Sequence, residues 1–161
     1  LPLGWSKKEN FGTKLLRVVK KIESLQNKGY LVSLVGISAG AGAALNAYSI
    51  NNEVERVICI SGKINHPASV RSEIYNKNPD FKKSMHRIKD SIGILGSKNL
   101  LKNIMSIHPT EDSTVPIEDT IIDGAIEKIF YGRGHASGIF YAITIGAPLI
   151  AGFIREKSTK V

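Results

Sequence analysis

The chain of 161 residues carries 22 lysines and arginines against 14 acidic residues, a net charge of +8, with 42% hydrophobic and 22% charged residues. That length is about one domain's worth of polypeptide, and the composition excludes a chain that is mainly disordered. Its one cysteine, Cys59, excludes an intramolecular disulfide, so a packed core must hold the fold, as expected of a protein in the reducing cytoplasm.

No charged segment followed by an apolar stretch near the start reads as a secretory signal. The basic residues gather in 7–28, 77–102 and 155–160, where they alternate with apolar residues as solvated helix faces do. No helix-turn-helix, zinc or aromatic stacking module accompanies them, so nucleic acid is not the expected partner.

Taken in chain order, Leu15, Leu16, Val18, Val19, Ile22 and Leu25 recur at three- and four-residue steps and predict an amphipathic helix ending near Gly29. Tyr30–Ile37 is apolar, β-branched and bounded by glycines, which predicts a buried parallel strand. Gly40–Ile50, rich in small residues, predicts a helix packed closely on the sheet. Arg56–Ile60, Asn103–Ile107 and Glu127–Tyr131 predict three further strands. Strands alternating with helices point to an α/β fold with a parallel sheet and right-handed crossovers.

Between the second and third strands, Lys63–Lys102 is long for a crossover and predicts a small helical cap within a single 1–161 domain. Asn78-Pro79-Asp80 reads as the start of a helix that places Phe81, Met85, Ile88 and Ile92 on one face. A further helix is expected near Ile117–Ile126, capped or decorated by Glu118, Asp119 and Asp123. Gly138–Ile154 lacks charge over 17 residues. Its proline and small residues favour a helix covering the sheet over a membrane span.

Gly36-Ile37-Ser38-Ala39-Gly40 matches G-x-S-x-G. Alone the pattern is weak, but it sits between a strand and a helix, where such a serine occupies a sharp elbow. Gly36 and Gly40 relieve crowding at that turn, and the backbone N–H of Ala39 is placed to meet a developing oxyanion. A serine hydroxyl needs a base and an orienting carboxylate. Asp112, in the loop after the third strand, and His135, after the fourth, supply them in the order Ser38, Asp112, His135. Glu111 is the rival acid, and His66, His86 and His108 are rival bases read as structural or surface residues. His66 alone among these could also line the pocket, while Cys59 reads as an inert core thiol. No metal-ligand spacing or P-loop lysine occurs, so neither a metal nor a cofactor is expected.

These features resemble the α/β-hydrolase superfamily: the elbow GISAG, the acid loop D-S-T-V-P at 112–116, and the Gly134-His135 pair, joined by strand-helix alternation. The resemblance implies a serine hydrolase acting on a small-molecule carboxylic ester or thioester through Ser38, Asp112 and His135. An acyltransferase with the same triad differs only in excluding water from the second step. The resemblance also implies strands before the elbow that would precede Leu1, with Leu1–Trp5 ending one of them. The chain thus reads as N-terminally truncated or minimal, with part of the oxyanion hole missing. That expectation motivates the rival reading of a non-catalytic binding or assembly module, and of a homo-oligomer covering the exposed edge of the first strand.

Overall fold

The computed structural model describes residues 3–5 and 9–158. Helix α1 (Phe11–Gln26) begins at Asn10, whose side chain accepts the Thr13 N–H at 3.0 Å and so satisfies one of the first orphan donors. Strand β1 (Leu34–Ile37) leads into α2 (Ala39–Ile50), and β2 (Val57–Ile60) follows. The chain then forms α3 (Ser72–Lys77) and α4 (Pro79–Ser97) before β3 (Ile104–Glu111) and β4 (Ile126–Arg133). Helices α5 (His135–Ile143) and α6 (Ala147–Ser158) complete it.

The four strands lie in the order β1-β2-β3-β4, all parallel. Side chains alternate across a strand, and β2 shows what that does. Val57 and Cys59 join a core with Leu15, Leu45, Tyr48, Met85 and Ile88 from α1, α2 and α4. Ile58 and Ile60 point the other way, into a second core with Ala142 and Phe153 from α5 and α6. All four residues of β2 are fully buried, the condition that makes a parallel strand continuously apolar.

The strand expected over Tyr30–Ile37 is shorter, because its ladder begins where Leu34 meets Val57. Tyr30 and Leu31 stay exposed, and β1 is an edge, with Val35 and Ile37 partly open to solvent. Leu1 and Pro2 lie outside the described residues, and Leu3–Trp5 is not part of a strand. Strand β3 runs past its expected end to Glu111 because β4 continues to pair with it. Pro109, which has no N–H for the ladder, coincides with a shift in register.

The helix expected over Ile117–Ile126 reduces to a 3₁₀ turn at Ile117–Asp119, after which Gly124, at φ 84°, turns the chain into β4. The apolar run near the C-terminus is two helices bent by 57°. Gly146 explains the break, since a Cβ there would lie 2.6 Å from both the Ala142 carbonyl and the Phe130 ring. No single described helix is long and apolar enough to cross a membrane.

The segment expected as a cap divides in two. Helix α4 belongs to the core: Phe81, Met85, Ile88 and Leu95 are buried in it, and its buried Ser84 and Ser91 bond to Asn46 and Ser49 of α2. Residues 69–78 instead form one wall of a cleft at the C-terminal ends of the strands.

Candidate active site

Ser38 stands at the end of β1 with φ 51° and ψ −121°, a conformation side chains rarely adopt. The turn that holds it is tight. Its N–H donates to the Ile60 carbonyl of β2 at 2.9 Å, and its carbonyl accepts the Ala41 N–H at 3.1 Å. A Cβ on Gly36 would come within 2.6 Å of Ala41 Cα and the Gly40 carbonyl, so only glycine fits beneath the elbow. The crowding expected at Gly40 as well is absent, since a Cβ there meets nothing within 4 Å. Gly62, after β2, takes that part instead, a Cβ there lying 2.5 Å from Ala41 Cβ. Ala39 is the first residue of α2, and the first N–H groups of a helix have no acceptor within it.

The loop after β3 folds around Asp112. Its Oδ1 accepts the N–H of Thr114 at 2.8 Å and of Val115 at 3.0 Å. Its Oδ2 lies 2.6 Å from His135 Nδ1. The side chain is only 1% exposed, so those three bonds replace nearly all its hydration. Glu111, one residue earlier on the alternate side of β3, pairs instead with exposed Arg133 at 3.3 Å.

Gly134 (φ 88°) turns the chain from β4 into α5 and donates its N–H to the Glu111 carbonyl at 2.7 Å. That places His135 at the first position of α5, with Nε2 2.9 Å from Ser38 Oγ. Three side chains from positions 38, 112 and 135 thus form one hydrogen-bonded line. The proton positions follow from the acceptors: an ionised Asp112 only accepts, so His135 carries its proton on Nδ1 and accepts the Ser38 hydroxyl at Nε2.

Ser38 and Ala39 open into a cleft of about 600 Å³ lined also by Trp5, Val70, Arg71, Ile74, Phe81 and Val115. Lys63 and Asp119 form a buried ion pair on its wall. Asp119 also bonds His66 Nδ1 at 2.7 Å through its other oxygen, and Lys63 donates to Ser69 Oγ at 2.6 Å. Asp119 therefore turns inward rather than decorating a helix. The other histidines lie apart from Ser38: His108 is buried within β3 against Glu127 at 2.8 Å, and His86 is exposed on α4. Cys59 is fully buried in β2, and burial pushes its thiol up to about 12. Among the described residues no group of three or more His, Cys, Asp or Glu side chains is placed to share a metal ion.

No protein-family model and no curated protein sequence matches the chain. Solved structures do. An α/β hydrolase from the metagenome of sediments of the Mar Chica lagoon, Morocco, matches 94% of this chain over 73% of its own, with a TM-score of 0.58 and 20% identity. A structure from the metagenome-derived lipolytic enzymes LipS and LipT matches 92% of this chain over 74% of its own, with a TM-score of 0.64 and 14% identity. The esterase domain of a Rhodothermus marinus protein matches 86% over 68% of its own, with a TM-score of 0.55 and 18% identity. At such identities the likeness is one of architecture, and that architecture, an all-parallel sheet flanked by helices, gives the chain the α/β-hydrolase fold.

Proposed function

We propose that the protein is a serine hydrolase that cleaves a carboxylic ester or thioester, with Ser38 as nucleophile, His135 as general base and Asp112 as the carboxylate that orients it. The observation that carries this reading is the continuous line Ser38 Oγ, His135, Asp112 Oδ2, with steps of 2.9 and 2.6 Å. A serine hydroxyl is a weak nucleophile until a base takes its proton, and the base works only with its acceptor nitrogen turned to the hydroxyl.

In the first step Ser38 Oγ bonds to the carbonyl carbon while its proton passes to His135 Nε2. The imidazolium so formed lies against the Asp112 carboxylate, which stabilises it without taking the proton. Negative charge gathers on the carbonyl oxygen, where the Ala39 N–H at the start of α2 opposes it. His135 then gives its proton to the leaving alcohol or thiol as the acyl-enzyme forms. Water enters the same site, is deprotonated by His135, and releases the acid. Adding an alcohol or amine acceptor and following product partition measures how far transfer competes with hydrolysis.

A fluorophosphonate probe reacts covalently with a serine activated in this way. It should label the wild-type chain and leave Ser38→Ala unlabelled. Labelling that persists in Ser38→Ala, or a folded wild type that neither reacts with the probe nor cleaves p-nitrophenyl esters, overturns the reading.

A further inference from the structure

The cleft beside Ser38 is unbalanced in its hydrogen-bonding groups. Every oxygen of its acidic neighbours already has a partner within the protein. Asp112 accepts from two backbone N–H groups and His135. Asp119 gives one oxygen to Lys63 and the other to His66. The cationic groups are not saturated. The ammonium of Lys63 has three N–H donors and meets two acceptors, Asp119 and Ser69 Oγ. The guanidinium of Arg71 has five donors, is exposed at the cleft, and has no hydrogen-bond acceptor or ion-pair partner among the described residues. Around these cations the lining is mostly apolar, with Val70, Ile74, Phe81 and Trp5, and its other polar side chains, among them Asn78, Ser113 and Thr114, are neutral. Such a cleft fits a molecule with an apolar stretch that brings acceptors and negative charge.

Ser38 and the Ala39 N–H, the groups that meet the acyl carbon and its oxygen in the proposed mechanism, line the cleft. An acyl portion seated there leaves the departing group on the His135 side.

We infer that the preferred substrate carries a carboxylate at the far end of an apolar acyl chain, bound in the cleft by Arg71 with the remaining donor of Lys63 beside it. This rests on the serine-hydrolase reading and specifies its substrate class. Arg71 can grip a carboxylate through two parallel N–H···O bonds, which a lysine cannot do.

The test compares the mono-p-nitrophenyl esters of adipic and suberic acid with p-nitrophenyl hexanoate and octanoate, which share leaving group and chain length but lack the carboxylate. At low salt, kcat/KM for the acid ester should exceed that of its neutral partner by about tenfold at one length or both, and the advantage should shrink as ionic strength rises. Arg71→Gln should lower that ratio by about tenfold, a loss of about 1.4 kcal/mol of discrimination. Arg87→Gln, which removes the same charge from the exposed face of α4, should leave the ratio unchanged. Neutral esters cleaved as well as the acid esters at both lengths overturn the inference and leave the hydrolase reading standing. A preference that survives Arg71→Gln, or falls equally in Arg87→Gln, overturns the assignment to the cleft. Failure to cleave all four esters, with no fluorophosphonate labelling, removes the hydrolase reading itself and the inference with it.

Discussion

Asp112 Oδ1 already accepts two backbone N–H groups, from Thr114 and Val115, and that occupancy decides what an amide would do in its place. In Asp112→Asn the two donors demand the amide oxygen at the Oδ1 position, so the NH₂ group takes the other position and faces His135 Nδ1. The imidazole must then accept at Nδ1 and carry its proton on Nε2, where it no longer takes the Ser38 proton. Turnover should fall by about four orders of magnitude in a chain that still folds. Ester kinetics beside circular dichroism check this, and a variant within tenfold of wild type shows that Asp112 does not orient the base. Cys59 makes a different prediction. Its folded thiol is raised to about 12 from an ordinary value of 9.0, so the neutral form contributes stability below about pH 9 that is lost as pH rises toward 12. At pH 8 iodoacetamide should modify Cys59 in urea and spare it in the native protein; equal rates would show an exposed thiol. That Ser38, Asp112 and His135 come together was legible in the sequence because each lies in a turn or loop that follows a recognisable strand. Lys63 and Asp119 were not, because their pairing joins positions 56 residues apart and no local pattern marks either one.

Among the elements, the turn from β1 to α2 depends on what lies beneath it. The Gly36→Ala methyl would meet backbone atoms at 2.6 to 2.8 Å, and backbone gives way less readily than a flexible side chain. Moving the first turn of α2 to make room should cost roughly 1–3 kcal/mol and displace Ser38 from His135. Gly40→Ala meets open space inside the helix, where alanine is favoured by up to about 1 kcal/mol. Denaturation midpoints and probe-labelling rates should therefore drop for Gly36→Ala and hold for Gly40→Ala; the reverse order would show that the elbow is not packed this way. Periodicity found β2 to within one residue because that strand is apolar on both faces. The helix expected near 117–126, with Glu118, Asp119 and Asp123 as its cap or decoration, does not form there. The chain there makes a 3₁₀ turn that carries Asp119 inward to Lys63, a tertiary contact that local spacing does not encode.

For the whole molecule, the two cores on opposite faces of the sheet follow from the alternation of β2, which composition and pattern already implied. The polar ties between the layers did not. Lys14, whose place in an amphipathic helix reads as solvated, is buried in the larger core's layer, donating to Asp80 of α4 and to the Gly4 carbonyl. That contact pins the segment before α1 and α1 itself to α4, with both charged side chains 4% exposed. Lys83 reaches the other oxygen of Asp80 only at 3.8 Å and from solvent, too weakly placed to replace Lys14. Asp80→Asn leaves a buried ammonium without its counter-charge and should lower stability by roughly 3–5 kcal/mol. Removing both charges with Lys14→Met and Asp80→Leu takes away the desolvation cost along with the attraction, so the double variant should recover most of that loss. Urea denaturation of Lys14→Met, Asp80→Leu and the double variant gives the coupling directly. Additive losses would mean that the two charges do not act as a buried pair, and that packing alone joins α1 to α4.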